Sequence, residues 1–324
     1  MRAITFLLCL LLCASAVAGP SSRKAVSKRG EASELVNEVA GGGSNPNSVV
    51  NRIKRLGEEA YAAHELSSLM TREADLEKKR AMAQVLAGLG HAQGEQGLLA
   101  GLNDEDGPVR MYSAQGLGRM KSRAAAGRLG QALADKTLGV RRDAARALGS
   151  IGDPKYGAVL ARAVKSEEDP ETRAAMLVSL GQVGDRKQAP VLESYLTHSS
   201  ESARFAAAAG LCQMGNAAGQ KFAKAQLAST DRYVRMQGLS LFEGARAKDA
   251  APVLEPLLKD PDRSLQAVAA RILYEGGDAA KLDWLVLTSF QAFGEDRLPY
   301  ERELEKLRLP DDQRRTILRK AGIK

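Results

Sequence analysis

The segment TLGVRRDAARALGSIGD, residues 137–153, holds one copy of a pattern that repeats along most of this 324-residue chain. Its reference residue is Arg141, and an arginine recurs at a nearly constant distance on either side. The six arginines, separated by 30, 31, 32, 31 and 31 residues, are Arg80, Arg110, Arg141, Arg173, Arg204 and Arg235. A repeat of this length is typical of solenoids and related arrays. The next interval ends at Gln266 and the preceding one at Val49, so we predict about eight repeats.

A first helix is predicted around each reference position. Four residues before it, seven of the eight residues have a short polar side chain that can accept a hydrogen bond from the N–H groups of a helix start. These positions are Asn45, Leu76, Asp106, Thr137, Asp169, Ser200, Asp231 and Asp262. Eight residues after the reference position, a glycine indicates a turn and a close approach of backbones in five repeats. These glycines are Gly57, Gly88, Gly118, Gly149 and Gly181.

A second helix is predicted after each turn. Twelve residues after the reference position, five repeats have a second capping residue, namely Ser122, Asp153, Asp185, Asn216 and Asp278. An apolar pair follows and another apolar residue comes four positions later, which indicates a helix with one apolar face. Each repeat is therefore predicted to be a helix, a tight turn, a second helix and a short loop.

The motif Asp-x-x-Val-Arg-x-x-Ala-x-x-x-Leu-Gly-x-x-Gly-Asp, visible at 140–153, 172–185 and 231–235, resembles HEAT-like repeats of the phycobilisome-lyase type. The resemblance covers residues 45–287 and implies that the aspartates and arginines of the motif are structural and contact neighbouring repeats. These residues are Asp106, Arg110, Arg141, Asp153, Asp169, Arg173, Asp185, Arg204, Asp231 and Arg235. We predict an all-α fold, a right-handed α-solenoid of about eight HEAT-like helix pairs, with helices at 288–324 as a C-terminal cap.

The first residues have the pattern of an export signal. Residues 1–18 combine a charge at Arg2, an apolar run and an Ala-x-Ala cleavage site. A lipoprotein anchored through Cys13 is the less favoured alternative, because Leu12 stands where a small residue is expected. We predict an exported protein of the periplasm or cell envelope. Residues 19–44, basic and glycine-rich, are predicted to form a flexible tail with a short helix at 31–40.

The cysteines and the net charge limit the partners. Cys9 and Cys13 lie within the predicted signal, so Cys212 alone would stay in the mature chain, and no disulfide-linked oligomer is expected. The net charge is +8 for the whole chain. A basic balance can indicate nucleic acid, but the predicted export argues against it. We expect protein partners, acidic ones among them, and an association with the envelope.

No catalytic, metal or cofactor site is predicted. The chain has no G-x-S-x-G, P-loop or H-E-x-x-H motif. His64 and Glu65 form the only His-Glu pair, whereas deoxyhypusine hydroxylase, a HEAT-repeat iron enzyme, has several. Cys212 occupies a glycine position of the repeat and is interpreted as a small buried residue. Phycobilin lyases share the repeat but act on cytoplasmic antennae, so the predicted export argues against bilin handling.

The second helices offer the best candidate surface, because they usually line the concave face of such arrays. The basic and tyrosine residues predicted to bind there are Arg123, Arg128, Tyr156, Arg162, Lys165, Lys187, Tyr195, Lys221 and Lys224. Arg128 stands where other repeats have Leu98 or Val159. The hypothesis is that it receives an acidic group from a partner or from a neighbouring repeat.

The sequence thus favours a non-enzymatic protein–protein interaction scaffold or adaptor in the bacterial envelope, with a partner along the concave face. Two alternatives stay open. One is a binding module for an anionic non-protein ligand, and the other is a lyase or chaperone-like accessory protein.

Overall fold

The chain is built from helices. The computed structural model describes residues 20–323, and their side chains from residue 27 onward. These residues form nineteen α-helices, and no strand is found within them. The chain divides into two compact units that meet at Ile151 and Gly152. We call residues 20–151 the N-terminal body and residues 152–323 the C-terminal body.

The N-terminal body contains three complete helix pairs and the first helix of a fourth. Its helices are α1 (Pro20–Gly41), α2 (Pro46–Leu56), α3 (Glu59–Met70), α4 (Leu76–Leu89), α5 (Glu95–Gly101), α6 (Gly107–Arg119), α7 (Ala126–Ala132) and α8 (Leu138–Ile151). Short 3-10 turns precede α5 and α7, so the second member of these pairs begins with a tighter turn than α-helix.

The C-terminal body contains the second helix of the fourth pair, four further pairs and two terminal helices. Its helices are α9 (Gly157–Ser166), α10 (Pro170–Val183), α11 (Ala189–Tyr195), α12 (Glu201–Gln213), α13 (Ala217–Leu227), α14 (Arg232–Ser240), α15 (Ala247–Leu254), α16 (Arg263–Glu275), α17 (Ala280–Gln291), α18 (Leu298–Lys306) and α19 (Asp311–Lys320). The succession of helix pairs confirms the predicted all-α solenoid.

Six of the eight predicted caps of first helices accept a hydrogen bond from a backbone N–H of their helix. For example, the Asp169 carboxylate accepts a hydrogen bond of 2.7 Å from the Thr172 N–H at the start of α10. Helix α4 is capped by Asp75 instead of the predicted Leu76, which has no acceptor. His91 also acts as a cap, since its Nδ1 accepts from the Gln93 N–H at 3.2 Å. The five predicted caps of second helices all accept such bonds.

Small residues let the first helices of successive repeats approach closely. A Cβ atom on Gly118 of α6 would lie 2.8 Å from the Cα of Ala147 in α8, closer than such contacts occur in proteins. In the C-terminal body, a Cβ on Gly181 of α10 would overlap the backbone of Gly210 in α12. These glycines are therefore required by packing. Gly57 differs, because nothing lies near it and it ends α2 with a left-handed φ of 72°.

The N-terminal helix corrects the predicted flexible tail at 19–44. Residues 20–41 form α1, which packs against α2, α3 and α4. Ala32, Leu35, Val36 and Val39 are buried at the i, i+3, i+4, i+7 spacing of an apolar helical face. The helix therefore covers the first repeat. The predicted signal at 1–18 lies outside the described residues.

Helix α18 contacts the last repeat at its reference position, where a glutamine replaces the repeated arginine. Gln266 stands where earlier repeats have arginine, and its Nε2 donates to the Asp260 carbonyl. Its Oε1 accepts a hydrogen bond from the hydroxyl of Tyr300 in α18, which is fully buried. Arginine has no acceptor, so the glutamine permits this contact. Helix α17 continues past residue 287, where we predicted the repeats to end.

Candidate functional site

Five of the six repeated arginines bind the loop that precedes their own helix. Arg110 donates to the carbonyls of Asp104 and Glu105 at 2.7 and 3.0 Å. Arg204 makes the same pair of bonds to His198 and Ser199 at 2.9 and 3.0 Å. Arg141, Arg173 and Arg235 donate to carbonyls at the same spacing. Carbonyls at helix ends lack intrahelical partners, so these arginines satisfy them.

Some of these arginines also connect successive repeats, as the resemblance implied. Arg80 holds Asp106 through two guanidinium nitrogens, at 2.6 and 3.1 Å in the shortest contacts. Arg110 holds Asp135 at 2.7 and 2.9 Å. The hydrogen bond from Arg80 lowers the pKa of Asp106 and outweighs burial, which acts the other way. Burial would raise the pKa of Asp135, but the bonds from Arg110 and the Thr137 N–H lower it. These residues stabilise the array.

The predicted binding residues divide between the two bodies. Arg123 and Arg128 belong to the N-terminal body, and the other seven belong to the C-terminal body. The basic residues among them are exposed, and none forms an ion pair with any residue in 27–323. None of them lines the cavities described below. Their binding role stays a prediction.

Arg128 does not occupy a core position. The buried residue of α7 is its neighbour Leu129, which matches Leu160 and Leu192 of later repeats, and all three are fully buried. The Arg128 side chain is exposed and donates to the Leu99 carbonyl at 3.1 Å. Arg128 is in register with Val159, which is only half-buried, whereas Leu98 corresponds to Leu129. The position of Arg128 is therefore the peripheral member of the apolar pair.

The two predicted tyrosines are half-buried and held by their own repeats. The Tyr195 ring stacks on His198 with centroids 5.3 Å apart. Its hydroxyl donates to the Val164 carbonyl at 3.4 Å. The ammonium group of Lys155 lies 5.4 Å from the ring centre of Tyr156. Both rings therefore have contacts within the C-terminal body.

A cavity that the sequence did not indicate lies at the end of the C-terminal body. We call it the C-terminal pocket, and its volume is about 680 Å³, within the range of small-molecule sites. Three helices form it. The lining residues are Arg232 and Met236 of α14, Ser264 and Val268 of α16, and Pro299, Arg302, Glu303, Glu305, Lys306 and Arg308 in and after α18. In each helix the residues follow at helical spacing, so each presents one face.

The charged residues of the C-terminal pocket have unequal partners. Arg232 is engaged by Asp262 at 2.9 Å and Ser264 at 2.6 Å. Lys306 pairs with Glu303 at 2.7 Å. Arg302 and Arg308 are exposed, and their guanidinium groups make no hydrogen bond or ion pair with any residue in 27–323. The pocket therefore has two arginines available to a ligand.

A buried ion network fixes the wall formed by α18. Arg271 of α16 donates to Glu303 at 2.6 Å, and also to Glu243 and Glu275. The pKa of Arg271 is raised although burial alone would lower it, because Glu243 and Glu303 stabilise the charged form. Charges removed from water need such partners. The network holds the pocket face of α18 against α16.

A smaller cavity of about 170 Å³ lies in the N-terminal body, between α6 and α8. Its lining includes Asp143, Arg119 and Arg146. Burial raises the pKa of Asp143, although Arg146, at 3.5 Å, acts in the opposite direction. The cavity is small for an organic cofactor.

Other chemistry is sparse in the described part of the chain. No group of three or more His, Cys, Asp or Glu side chains among residues 27–323 is placed to hold a metal ion. Cys212 is fully buried, and burial raises the pKa of its thiol to about 12. A thiol of this kind is unreactive. None of the helices within residues 20–323 is both long and apolar enough to span a bilayer.

Comparison with known proteins identifies the family. The sequence model of the HEAT repeat family matches residues 63–137, 95–177 and 159–241, which together are more than half of the chain. The chain belongs to the HEAT repeat family. Its repeats also share the fold of the complex of CpcE and CpcF of phycocyanin lyase from Nostoc sp., with a TM-score of 0.54 and 19% identity. That match covers 75% of this chain and 94% of the other.

Two curated relatives of this HEAT repeat protein are bilin biosynthesis proteins named PecE. The protein from Mastigocladus laminosus is 35% identical over 96 residues, which are 28% of this chain and 36% of the relative. The protein from Nostoc sp. is 33% identical over 108 residues, 31% of this chain and 43% of the relative. The chain therefore spans less than half the length of the curated relatives it matches.

These relatives correct two predictions. The non-enzymatic envelope scaffold is wrong, because the relatives at 35% and 33% identity are bilin biosynthesis proteins. The prediction that the chain is not an enzyme is wrong on the same ground. The alternative of a lyase or accessory protein is favoured instead. The repeat motif could not separate these classes, because stacked helices need the same caps and arginines whatever the surface binds.

Proposed function

We propose that the protein is a lyase or chaperone-like accessory protein that handles a bilin. The observation that carries this proposal is the identity of 35% and 33% to two bilin biosynthesis proteins. The HEAT fold shared with a phycocyanin lyase supports it.

The protein acts as one chain of an assembly. The lyase that shares the fold is a complex of two chains, CpcE and CpcF. The exposed, unpaired cations of the second helices in the C-terminal body are complementary to an acidic partner surface. These residues are Arg162, Lys165, Lys187, Lys221 and Lys224.

The side chains of this protein support a role in binding and positioning the bilin. The single cysteine among residues 27–323 is the buried Cys212, whose raised pKa keeps it protonated. A bilin is a linear tetrapyrrole with an apolar conjugated body and two carboxylates. A long helical array can hold such a molecule through cationic and apolar contacts and present it to an acceptor.

Titration of the purified chain with biliverdin tests the proposal. We expect the visible absorption band of biliverdin to shift and sharpen, with a dissociation constant below about 100 µM. The control is an unrelated HEAT repeat protein under the same conditions. Biliverdin that keeps its free spectrum and elutes apart from the chain in gel filtration, at every concentration, would overturn the proposal.

We also propose that the protein is exported and loses residues 1–18, so that any bilin it handles is bound outside the cytoplasm, away from the antennae on which phycobilin lyases act. This rests on the signal pattern alone, since those residues lie outside the described part of the chain. An intact mass that begins at Gly19, measured on protein from the envelope fraction, is the expected result. Lipid attached to Cys13 would favour the lipoprotein alternative, and a full-length chain found only in the cytoplasm would exclude both.

A further inference from the structure

We propose that the C-terminal pocket binds the carboxylates of the bilin through Arg302 and Arg308. The inference rests on the proposed function and names the place of binding. The pocket is lined by α14, which lies within the family match, and by α16 and α18, which lie beyond residue 241, where the match ends. The wall formed by α18 is therefore added to the repeats.

The shape and the apolar lining of the pocket fit an organic ligand. Its volume of about 680 Å³ is in the range that encloses cofactor-sized molecules. Met236, Val268 and Pro299 come from three different helices and contribute apolar surface. Such surface suits the body of a tetrapyrrole, because burying it removes apolar area from water.

The charges of the pocket select an anion. Its ionisable residues are four cations and two carboxylates, a net charge of +2. Glu303 is neutralised by Arg271 and Lys306, and Arg232 is engaged by Asp262. Arg302 and Arg308 thus stay available for the two carboxylates of the ligand, and the exposed Glu305 is the one lining carboxylate without a partner among the described residues. A guanidinium binds a carboxylate through two parallel hydrogen bonds, the strongest such contact between side chain and ligand.

The backbone at Arg308 supports a role in binding. Arg308 has a φ of 50°, one of two non-glycine residues among those described with a positive value. This conformation costs energy for a residue with a Cβ atom, and glycine would adopt it without strain. A left-handed residue commonly ends a helix, and Lys121 has the same conformation directly after α6. The bend places Arg308 on the pocket instead of continuing α18.

Biliverdin binding by matched arginine variants tests the inference. The variants are Arg302→Ala with Arg308→Ala, and, as a control, Arg315→Ala with Arg319→Ala. The control pair is exposed on α19, carries the same charge and does not line the pocket. We expect the first pair to raise the dissociation constant about tenfold or more, and the control pair to leave it nearly unchanged. Biliverdin dimethyl ester, whose carboxylates are masked, should bind both pairs and the wild type equally.

The outcomes separate this inference from the proposed function. If neither double variant binds biliverdin more weakly than the wild type, the pocket is not the binding site, and the proposed function still stands. If both double variants weaken binding equally, the effect comes from the overall positive charge of the chain, and the pocket is again not the binding site. No binding by the wild type would overturn both. Melting temperatures of the variants should match the wild type, because neither Arg302 nor Arg308 has a partner among the described residues.

Discussion

The regular repeats and the C-terminal end use arginine in different ways. In α12 and α14 the repeated Arg204 and Arg235 satisfy backbone carbonyls of the preceding loop. In α16 the repeated position is Gln266, and the arginine that matters is Arg271, five residues later, which binds three glutamates. The first arrangement can occur in every repeat, since each repeat has a loop with free backbone carbonyls before its first helix. The second is particular to this end of the chain, because Arg271 joins α18 to the repeat through Glu303.

This difference explains where a specific site can form. A residue that satisfies the backbone of its own repeat leaves the surface of the array uniform. Side chains that bind each other across helices can shape a cavity, and the C-terminal pocket lies beside such a network. The array therefore provides the support, and the departure from the repeat provides the site.

The largest effect should follow from loss of Arg271. Arg271→Met leaves Glu303, only 5% exposed, with Lys306 as its one remaining partner among the described residues, and we expect this weakened compensation of a buried charge to cost about 3 kcal/mol. The midpoint of urea unfolding of the whole chain measures this loss of stability. Arg52→Met is the control, since both members of its ion pair with Glu38 are exposed, and it should change the midpoint much less. Equal effects of the two variants would show that the network does not hold the C-terminal end.

A smaller loss is expected at a repeated arginine. Arg110→Ala should cost about 2 kcal/mol, because Asp135 and two carbonyls lose a buried donor. Arg204→Ala removes bonds to carbonyls only, so its cost should be lower. Thermal unfolding measures both. A larger loss for Arg204 than for Arg110 would contradict the role assigned to the carboxylate.

Restoring the repeated arginine at Gln266 tests the contact with Tyr300. Gln266→Arg restores the repeat motif but removes the acceptor for the buried Tyr300 hydroxyl, so we expect a loss of about 1 kcal/mol. The double variant with Tyr300→Phe should recover part of this loss, because the unsatisfied hydroxyl is gone. A stabilising effect of Gln266→Arg alone would show that the motif outweighs the contact with α18.

The last prediction concerns pH. Hydrogen bonds from Arg314, above all, and from Ser289 and Arg297 lower the pKa of Glu301 to about 2 from 4.5. A lowered folded-state pKa means that the stabilisation is complete above pH 4.5 and is lost as the pH falls toward 2. The melting temperature should fall over this window, and Glu301→Gln should flatten the fall. Glu295→Gln, at an exposed residue, should leave the slope unchanged.

Periodic features of the fold could be predicted, and single contacts could not. The caps at Asp106, Asp169 and Asp231 and the packing glycine at Gly118 follow from residue type and spacing. Helix α1 was mistaken for a tail, because its basic, serine-rich start obscured an apolar stripe of only four residues. Arg128 was misjudged because the sequence does not show which member of the apolar pair is buried, and Val159, its counterpart, is only half-buried.

The candidate site was the least predictable part. Its residues come from helices up to 76 positions apart, from Arg232 to Arg308, and none belongs to a motif. The sequence showed only that the last helices are dense in charge. Which charges pair with each other, and which stay available, depends on the packing of α14, α16 and α18.

The sequence by itself determined the helical repeat, the position of its caps and its arginines, because these depend on local hydrogen bonds and on the period of apolar residues. The tertiary structure alone decided that α1 covers the first repeat, that Gln266 receives Tyr300, and that Arg302 and Arg308 stay unpaired beside a cavity. The physical reason is the range of the interactions. Local spacing specifies a helix and its ends, whereas a pocket exists only where distant side chains pack and leave space.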